Sequence, residues 1–126
     1  MRDLYSNVEA GQALAPAVQA SVTTGPAIDL KGCNRVAILV NTGAIVSSGD
    51  FGVKLQESDT TTSGDFTDVA AAQVDSDAPA TLAAASAYRL GYRGWKRYIR
   101  LALTKAGGTS IALGAVAVRS DLAERP

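Results

Sequence analysis

Hydrophobic and polar residues alternate along much of this chain, which is the pattern of β-strands that bury one face. Phe51, Val53 and Leu55 point to one side of an extended segment, while Gly52 and Lys54 point to the other. The same period of two recurs in three further segments, at residues 18–22, 88–92 and 99–103. The alternation predicts an all-β protein in which each strand presents its apolar side to a shared core.

Turn-forming residues separate these segments. The polar stretch 58–65 predicts the turn of a hairpin whose second strand is 66–69. Residues 106–108, Ala-Gly-Gly, predict a tight turn before a closing strand at 110–119, in which Gly114 indicates a bulge. The count is about eight strands with short connections, which favours an antiparallel β-sandwich or jelly roll.

Two segments carry a less regular pattern. Residues 35–41 are apolar on both faces, which predicts a central strand covered on each side by the core or by a neighbouring subunit. Residues 70–87 contain two alanine triplets with high helix propensity, separated by Pro79. This second segment predicts a loop with one turn of helix.

The length of 126 residues is that of one domain, which we divide into three parts. These parts are a flexible N-terminal arm at 1–16, a β-sandwich domain at 17–120 and a C-terminal tail at 121–126. In the arm, Leu4, Val8 and Leu14 follow no clean period, and Pro16 ends the segment. Each end is either a frayed terminus or a segment that orders on a neighbouring molecule.

Composition narrows the choice of partner. Hydrophobic residues make up 47% of the chain, but much of that share is alanine, so we expect a thin core that buries further surface against partners. Twelve basic and twelve acidic residues give a formal net charge of zero. A free-standing nucleic-acid-binding protein usually carries a basic excess, so we expect no nucleic-acid partner. A net charge near zero favours self-association instead, and we expect a homo-oligomer.

The chain contains no histidine and a single cysteine, Cys33. Catalytic Ser-His-Asp and Cys-His arrangements are therefore excluded, as are the common Cys/His sites for transition metals. We expect no enzymatic activity and no cofactor. Calcium remains open, because it needs only oxygen ligands. Four carboxylates fall near one predicted hairpin tip and are either solvated turn residues or ion ligands: Glu57, Asp59, Asp65 and Asp68.

The sequence carries no pattern for export or membrane insertion. The first residues are polar, unlike a secretory signal, and no run approaches the roughly 18 apolar residues needed to cross a bilayer. We therefore expect synthesis and assembly in a cytoplasm, without a membrane partner.

Residues 88–100, YRLGYRGWKRYIR, combine arginine with tyrosine and tryptophan on consecutive strands. These residue types are enriched at protein interfaces, and they also stack bases and clamp phosphates. The alternatives are an ordinary strand pair whose outer arginines confer solubility, a protein interface, a nucleic-acid site and a sugar site. The interface hypothesis assigns contacts to residues of this run and of the arm: Arg89, Tyr92, Arg93, Trp95, Lys96, Arg97, Arg100, Leu4, Tyr5 and Val8.

Two parts of the chain, KLQESDTTTSGDFTDV at 54–69 and KRYIRLAL at 96–103, are similar to discoidin-type galactose-binding jelly rolls. In that family a strand ends in Ser-Asp-x-Gly-x-x-aromatic-Thr, and a later strand reads Arg-Tyr-(Ile/Val)-Arg. The first pattern is matched loosely, with extra turn residues, by Ser58, Asp59, Gly64, Phe66 and Thr67. The second is matched by Arg97, Tyr98, Ile99 and Arg100. The resemblance implies a jelly roll and makes a carbohydrate-binding module an alternative function.

From about Ala27 to Pro126 the chain also resembles small structural proteins encoded by tailed phages and prophages of Gram-negative bacteria. The matching elements are VAILVNTGAI at 36–45, residues 52–74, residues 88–118 and the closing Arg-Pro. The resemblance implies a virion component assembled in the host bacterial cytoplasm. Its size suits a capsid decoration (cement) protein that binds the outer head shell and resists internal DNA pressure. The implied partners are the major capsid protein or other virion proteins, and a neck or tail component is the alternative.

Overall fold

The computed structural model describes residues 8–31 and 33–122, which form ten β-strands in two antiparallel sheets. Sheet A contains β1 (Val8–Gln19), β4 (Cys33–Val46), β7 (Val74–Ser76), β8 (Ala87–Tyr92) and β10 (Ser110–Leu122). Sheet B contains β2 (Thr23–Thr24), β3 (Ile28–Asp29), β5 (Asp50–Ser58), β6 (Thr67–Asp68) and β9 (Tyr98–Gly107). Two short 3₁₀ turns, Ser63–Asp65 and Ala71–Gln73, lie on either side of β6.

The strand order is that of a jelly roll. Sheet A runs β1-β10-β4-β8-β7 and sheet B runs β2-β9-β5-β6, with β3 also paired to β9. Each strand of the first half thus pairs with a counterpart of the second half: β1 with β10, β2 and β3 with β9, β4 with β8, and β5 with β6. This folding of one long antiparallel ribbon into two sheets confirms the predicted antiparallel sandwich.

The core lies between the two sheets and follows the period-2 pattern. Sheet B contributes buried side chains at alternate positions, Phe51, Leu55, Ile99, Leu101 and Leu103. Sheet A contributes Ile38, Val40, Leu90, Ile111 and Leu113. Leu82, on the connection before β8, closes one side of the core, because its N–H donates to the Phe51 carbonyl at 2.8 Å and its side chain is buried. No helix among the described residues is both long and apolar enough to cross a membrane.

The predicted arm at 1–16 is wrong for residues 8–16, which belong to β1. This strand pairs with β10 from Val8 opposite Ser120 to Gln19 opposite Ile111. The pairing of β1 with β10 shifts register twice, on either side of Leu14. Because of these shifts, the apolar residues of β1 do not keep a period of two, and the alternation does not predict the strand. Residues 1–7, which include the predicted contacts Leu4 and Tyr5, lie outside the described residues.

Two other boundaries, and the covering of one strand, differ from the sequence prediction. The tail predicted at 121–126 is wrong for residues 121–122, because β10 extends to Leu122, opposite Cys33 of β4; residues 123–126 lie outside the described residues. The loop predicted at 70–87 contains the short strand β7, a three-residue segment with no alternation long enough to read. β4 is central in sheet A as predicted, but its outer face leaves Leu39 45% exposed, so only its inner face is covered by this chain.

Gly25 marks a close approach of two backbones. Its N–H donates to the Leu101 carbonyl at 2.8 Å, and a methyl group on its Cα would overlap the carbonyl oxygen of Ala13 in β1. We expect Gly25→Ala to lower the free energy of unfolding by about 3 kcal/mol or more, because backbone rather than a side chain must move. Urea denaturation measures this change.

Gly64→Ala is the matched control. No heavy atom lies within 4 Å of the position that its new methyl group would take. Its free energy of unfolding should stay within about 0.5 kcal/mol of the parent protein. Equal losses in the two variants would contradict the tight packing of β1 against residue 25.

Candidate functional site

Two connections meet at one end of the sandwich. Asp29 of β3 lies opposite Tyr98 of β9, and Ala37 of β4 lies opposite Gly91 of β8. The β3–β4 connection and the β8–β9 connection are therefore neighbours, and an open cleft of about 570 Å³ lies between them. We call it the Trp95 cleft; it is lined by Leu30, Lys31, Arg35, Val36, Tyr92, Gly94, Trp95, Lys96 and Arg97.

Trp95 is the most exposed large hydrophobic residue among those described, with 91% of its surface open to solvent. An indole offers one of the largest apolar surfaces of any side chain, and burying it against a partner is favourable. Tryptophan is also among the residues that contribute most to protein interfaces. Its exposure beside a cleft therefore marks this end of the sandwich as a contact surface.

Tyr92 holds the loop that carries Trp95. Its ring is buried, its hydroxyl donates to Glu57 Oε1 at 2.6 Å, and the same hydroxyl accepts the Lys96 N–H at 3.0 Å. Burial raises the pKa of Tyr92, and the hydrogen bond to the Glu57 carboxylate raises it further, so the hydroxyl stays protonated as a donor. Gly94 packs directly on the Tyr92 ring, where a larger residue would overlap it. The loop is thus tied to both sheets.

Arg97, the residue before β9, forms a bidentate ion pair with Asp29 of β3. Arg97 Nε lies 3.1 Å from Asp29 Oδ1, and its Nη2 lies 3.0 Å from Oδ2. The Lys31 N–H also donates to Asp29 Oδ1 at 2.9 Å. The Arg97 guanidinium, followed by the Lys31 N–H, lowers the pKa of Asp29 to about 2. The pair fixes the start of the β3–β4 connection against the β8–β9 loop.

The lining of the cleft is positive. Of the described residues that line it, none is a carboxylate and four are cations: Lys31, Arg35, Lys96 and Arg97. Lys96 Nζ lies 3.0 Å from Asp59 Oδ2, and this hydrogen bond raises the pKa of Lys96. Neither Lys31 nor Arg35 forms a salt bridge with any carboxylate whose side chain is described.

The predicted contact residues are divided among separate surfaces. Tyr92, Trp95, Lys96 and Arg97 lie at the cleft, with Tyr92 buried beneath it rather than exposed. The remainder lie elsewhere, so one continuous stretch of sequence does not form one surface. Their separation follows from the period of two, which sends neighbouring residues of a strand to opposite faces.

Arg89 and Arg93 lie beside β7, each facing an aspartate. Arg89 Nε is 3.5 Å from Asp77 Oδ2, and Arg93 Nη2 is 3.1 Å from Asp75 Oδ1. These exposed pairs neutralise the charge along that edge of sheet A.

Arg100 and Val8 lie on further surfaces. Arg100 lies on the outer side of sheet B and donates from Nε to Gln56 Oε1 at 2.7 Å. Its guanidinium carbon lies 4.4 Å from the centre of the Phe66 ring. Val8 begins β1 and is half-buried.

Lys31 and Arg35 are charged cleft residues that the sequence does not indicate. They stand about 60 residues from Trp95 along the chain and carry no motif. Only the jelly-roll connectivity, which places the β3–β4 and β8–β9 connections at the same end, reveals them.

The candidate calcium ligands near the β5–β6 hairpin are dispersed among structural contacts. Glu57 binds Tyr92 and Asp59 binds Lys96. Asp68 accepts hydrogen bonds from Lys54 and Gln56, and Asp65 accepts one from Thr60. Within residues 8–31 and 33–122 no group of three or more His, Cys, Asp or Glu side chains is placed to hold a metal ion.

The sequence matches no protein-family profile and no curated protein sequence. The fold is similar to that in the crystal structure of the SPBc2 prophage-derived protein YomS, with a TM-score of 0.50 and 9% identity, over 88% of this chain and 94% of that one. A chain in the structure of infectious bursal disease virus, Gx strain, aligns with a TM-score of 0.48 and 16% identity. That alignment covers 90% of this chain and 32% of the viral one. The likeness to YomS shows a shared sandwich fold.

Removing the Tyr92 hydroxyl tests whether it holds the Trp95 loop. We expect Tyr92→Phe to lower the free energy of unfolding by about 1–2 kcal/mol, because the Lys96 N–H and the Glu57 carboxylate lose a partner. Chemical denaturation measures the loss. Tyr98→Phe is the control, since no hydrogen bond of the Tyr98 hydroxyl is found among the described residues; a similar loss there would contradict a specific role for Tyr92.

Acid titration tests the Asp29–Arg97 pair. Because the folded-state pKa of Asp29 is depressed from 3.8 to about 2, its contribution to stability is present above 3.8 and is lost as the pH falls towards 2. Asp29→Asn should therefore be less stable than the parent protein near neutral pH, and the difference should shrink in that window. With side chains 42% and 47% exposed, the effect should not exceed about 1 kcal/mol. Denaturation at several pH values measures it; a constant difference would contradict the assignment.

Proposed function

We propose that this protein is a non-enzymatic structural component of a phage virion that decorates the outer head shell and stabilises it as a cement protein. The observation that carries the proposal is the Trp95 cleft. It presents a nearly fully exposed tryptophan on a loop that two partly buried hydrogen bonds hold in place. A rigid apolar anchor surrounded by polar groups is the anatomy of a protein-binding surface.

The fold and the sequence resemblance support the same class of function. YomS, which shares the sandwich fold, is described as prophage-derived, and jelly rolls include viral capsid domains. Because one fold hosts many functions, this support is analogical. The resemblance to phage structural proteins over residues 27–126 adds the virion as the place of action.

Binding at many repeated sites would supply the affinity that one small surface lacks. A head shell presents many copies of the same site, and a protein that also contacts its own neighbours would bind through several linked contacts. The zero net charge suits this arrangement, because it allows copies to sit side by side without mutual repulsion.

Adding the purified protein to capsids that lack it tests the proposal. We expect the parent protein to bind intact shells and raise the temperature at which they rupture. Trp95→Ala should weaken binding at least about tenfold, as loss of an anchoring aromatic does at other interfaces. Co-sedimentation and calorimetry measure binding and rupture.

Val22→Ala is the control for this experiment. Val22 is 65% exposed and precedes β2, which pairs with β9 at Leu103, away from the cleft. It should bind shells like the parent protein. Binding to tails or necks but not to heads would assign the protein to those parts of the virion, and binding to neither would overturn the proposal.

The exposure of Trp95 also favours a second candidate, a carbohydrate-binding module, because aromatic faces stack on sugar rings. A glycan array with the parent protein and Trp95→Ala tests it. Saturable binding that the substitution abolishes would support the module and would count against shell decoration as the primary role.

A further inference from the structure

The Trp95 cleft offers hydrogen-bond donors almost exclusively. Among the described residues that line it are lysine, arginine and tryptophan side chains but no Asp, Glu, Asn or Gln side chain. The Tyr92 hydroxyl is already engaged, since it donates to Glu57 and accepts from the Lys96 N–H. A matching ligand must therefore present acceptors rather than donors. Sugar hydroxyls need both kinds of partner, whereas a carboxylate only accepts.

The positive charge of the cleft is unevenly compensated. Lys96 and Arg97 are held by Asp59 and Asp29, which lie outside the lining. Arg35 is exposed and forms no salt bridge with the carboxylates whose side chains are described. The side of the cleft formed by the β3–β4 connection therefore carries the charge that a ligand carboxylate would balance.

The rest of the lining is apolar. Leu30 and Val36 contribute aliphatic surface, and Gly94 places backbone without a side chain against the Tyr92 ring. The almost fully exposed Trp95 indole lies beside them. A ligand that matches both the positive and the apolar parts of the lining carries carboxylates next to an apolar side chain.

From this positively charged and partly apolar lining, whose described polar side chains are mostly donors, we infer that the Trp95 cleft binds an acidic peptide segment of a protein partner, with an apolar side chain on the indole and a carboxylate at Arg35. This inference rests on the proposed function and names the chemistry of the shell surface that the protein recognises. A nucleic acid would need a continuous track of cations, but Arg89 and Arg93, the nearest cations along β8, are paired with Asp77 and Asp75.

Trp95 itself reports the binding, because the chain contains one tryptophan. The probe is the blocked peptide Glu-Glu-Phe-Glu-Glu, titrated into the full chain with excitation of the indole. We expect a saturable blue shift of the emission, reduced quenching by acrylamide, and weaker binding as salt screens the charges. The counterpart Lys-Lys-Phe-Lys-Lys should produce no saturable change.

Charge-reversal substitutions at the cleft test where the carboxylates of the acidic peptide bind. Arg35→Glu and Lys31→Glu should each weaken the acidic peptide about tenfold. Lys105→Glu is the control with the same change of charge, because Lys105 lies near the far end of β9 and bonds to the Ala20 carbonyl. It should bind the peptide like the parent protein, and circular dichroism verifies that all three variants are folded.

Several results would overturn the inference. These are equal protection of Trp95 by the basic peptide, unchanged affinity in both cleft variants, and tighter saturable binding of sialyllactose or of a ten-residue oligothymidylate. Shell binding that survives Arg35→Glu and Lys31→Glu would also overturn it while leaving the proposed function intact. If the acidic peptide binds the cleft but capsids do not bind the protein, the proposed function fails and the cleft chemistry stands.

Discussion

The antiparallel pairing of β3 with β9 and of β4 with β8 is the constraint on which the site depends. Each pair belongs to a different sheet, so the connection that leaves β3 for β4 and the one that leaves β8 for β9 both cross between the sheets at the same end. Backbone hydrogen bonds fix this juxtaposition before any side chain is considered. The Trp95 cleft is the space between those two crossings.

Side-chain contacts then convert the juxtaposition into a rigid surface. Tyr92 joins the end of β8 to Glu57 of β5 and to the backbone of Lys96, while Arg97 joins the start of β9 to Asp29 of β3. The partly buried tyrosine contact is the stronger of the two, because leaving a group unpaired away from water is costly and an exposed ion pair contributes little. Preorganisation of this kind reduces the entropy that a binding loop loses when it meets a partner.

The sequence predicts the fold better than the site because alternation is local and the cleft is not. In segments such as 51–55 and 99–103, the alternation of apolar and polar residues indicates which side chains are buried. The turns between such segments then favour a small number of sandwich topologies. The alternation does not predict β1, because Pro16 lies against Gly114 and a register shift there interrupts the period of two. The sequence does not predict that Lys31 and Arg35 belong to the cleft, because only long-range strand pairing brings them close to Trp95.

Charge shows the same limit of sequence reasoning. The run 88–100 looks strongly basic when read along the chain, yet Arg89, Arg93 and Arg97 each face an aspartate that is 12 or more residues away. What remains is not a broad positive field but a small donor-rich cleft around one exposed indole. Such a surface does little to steer a partner from a distance and discriminates by fit once contact is made. That behaviour suits the proposed role, in which the protein binds one repeated position of a large assembly.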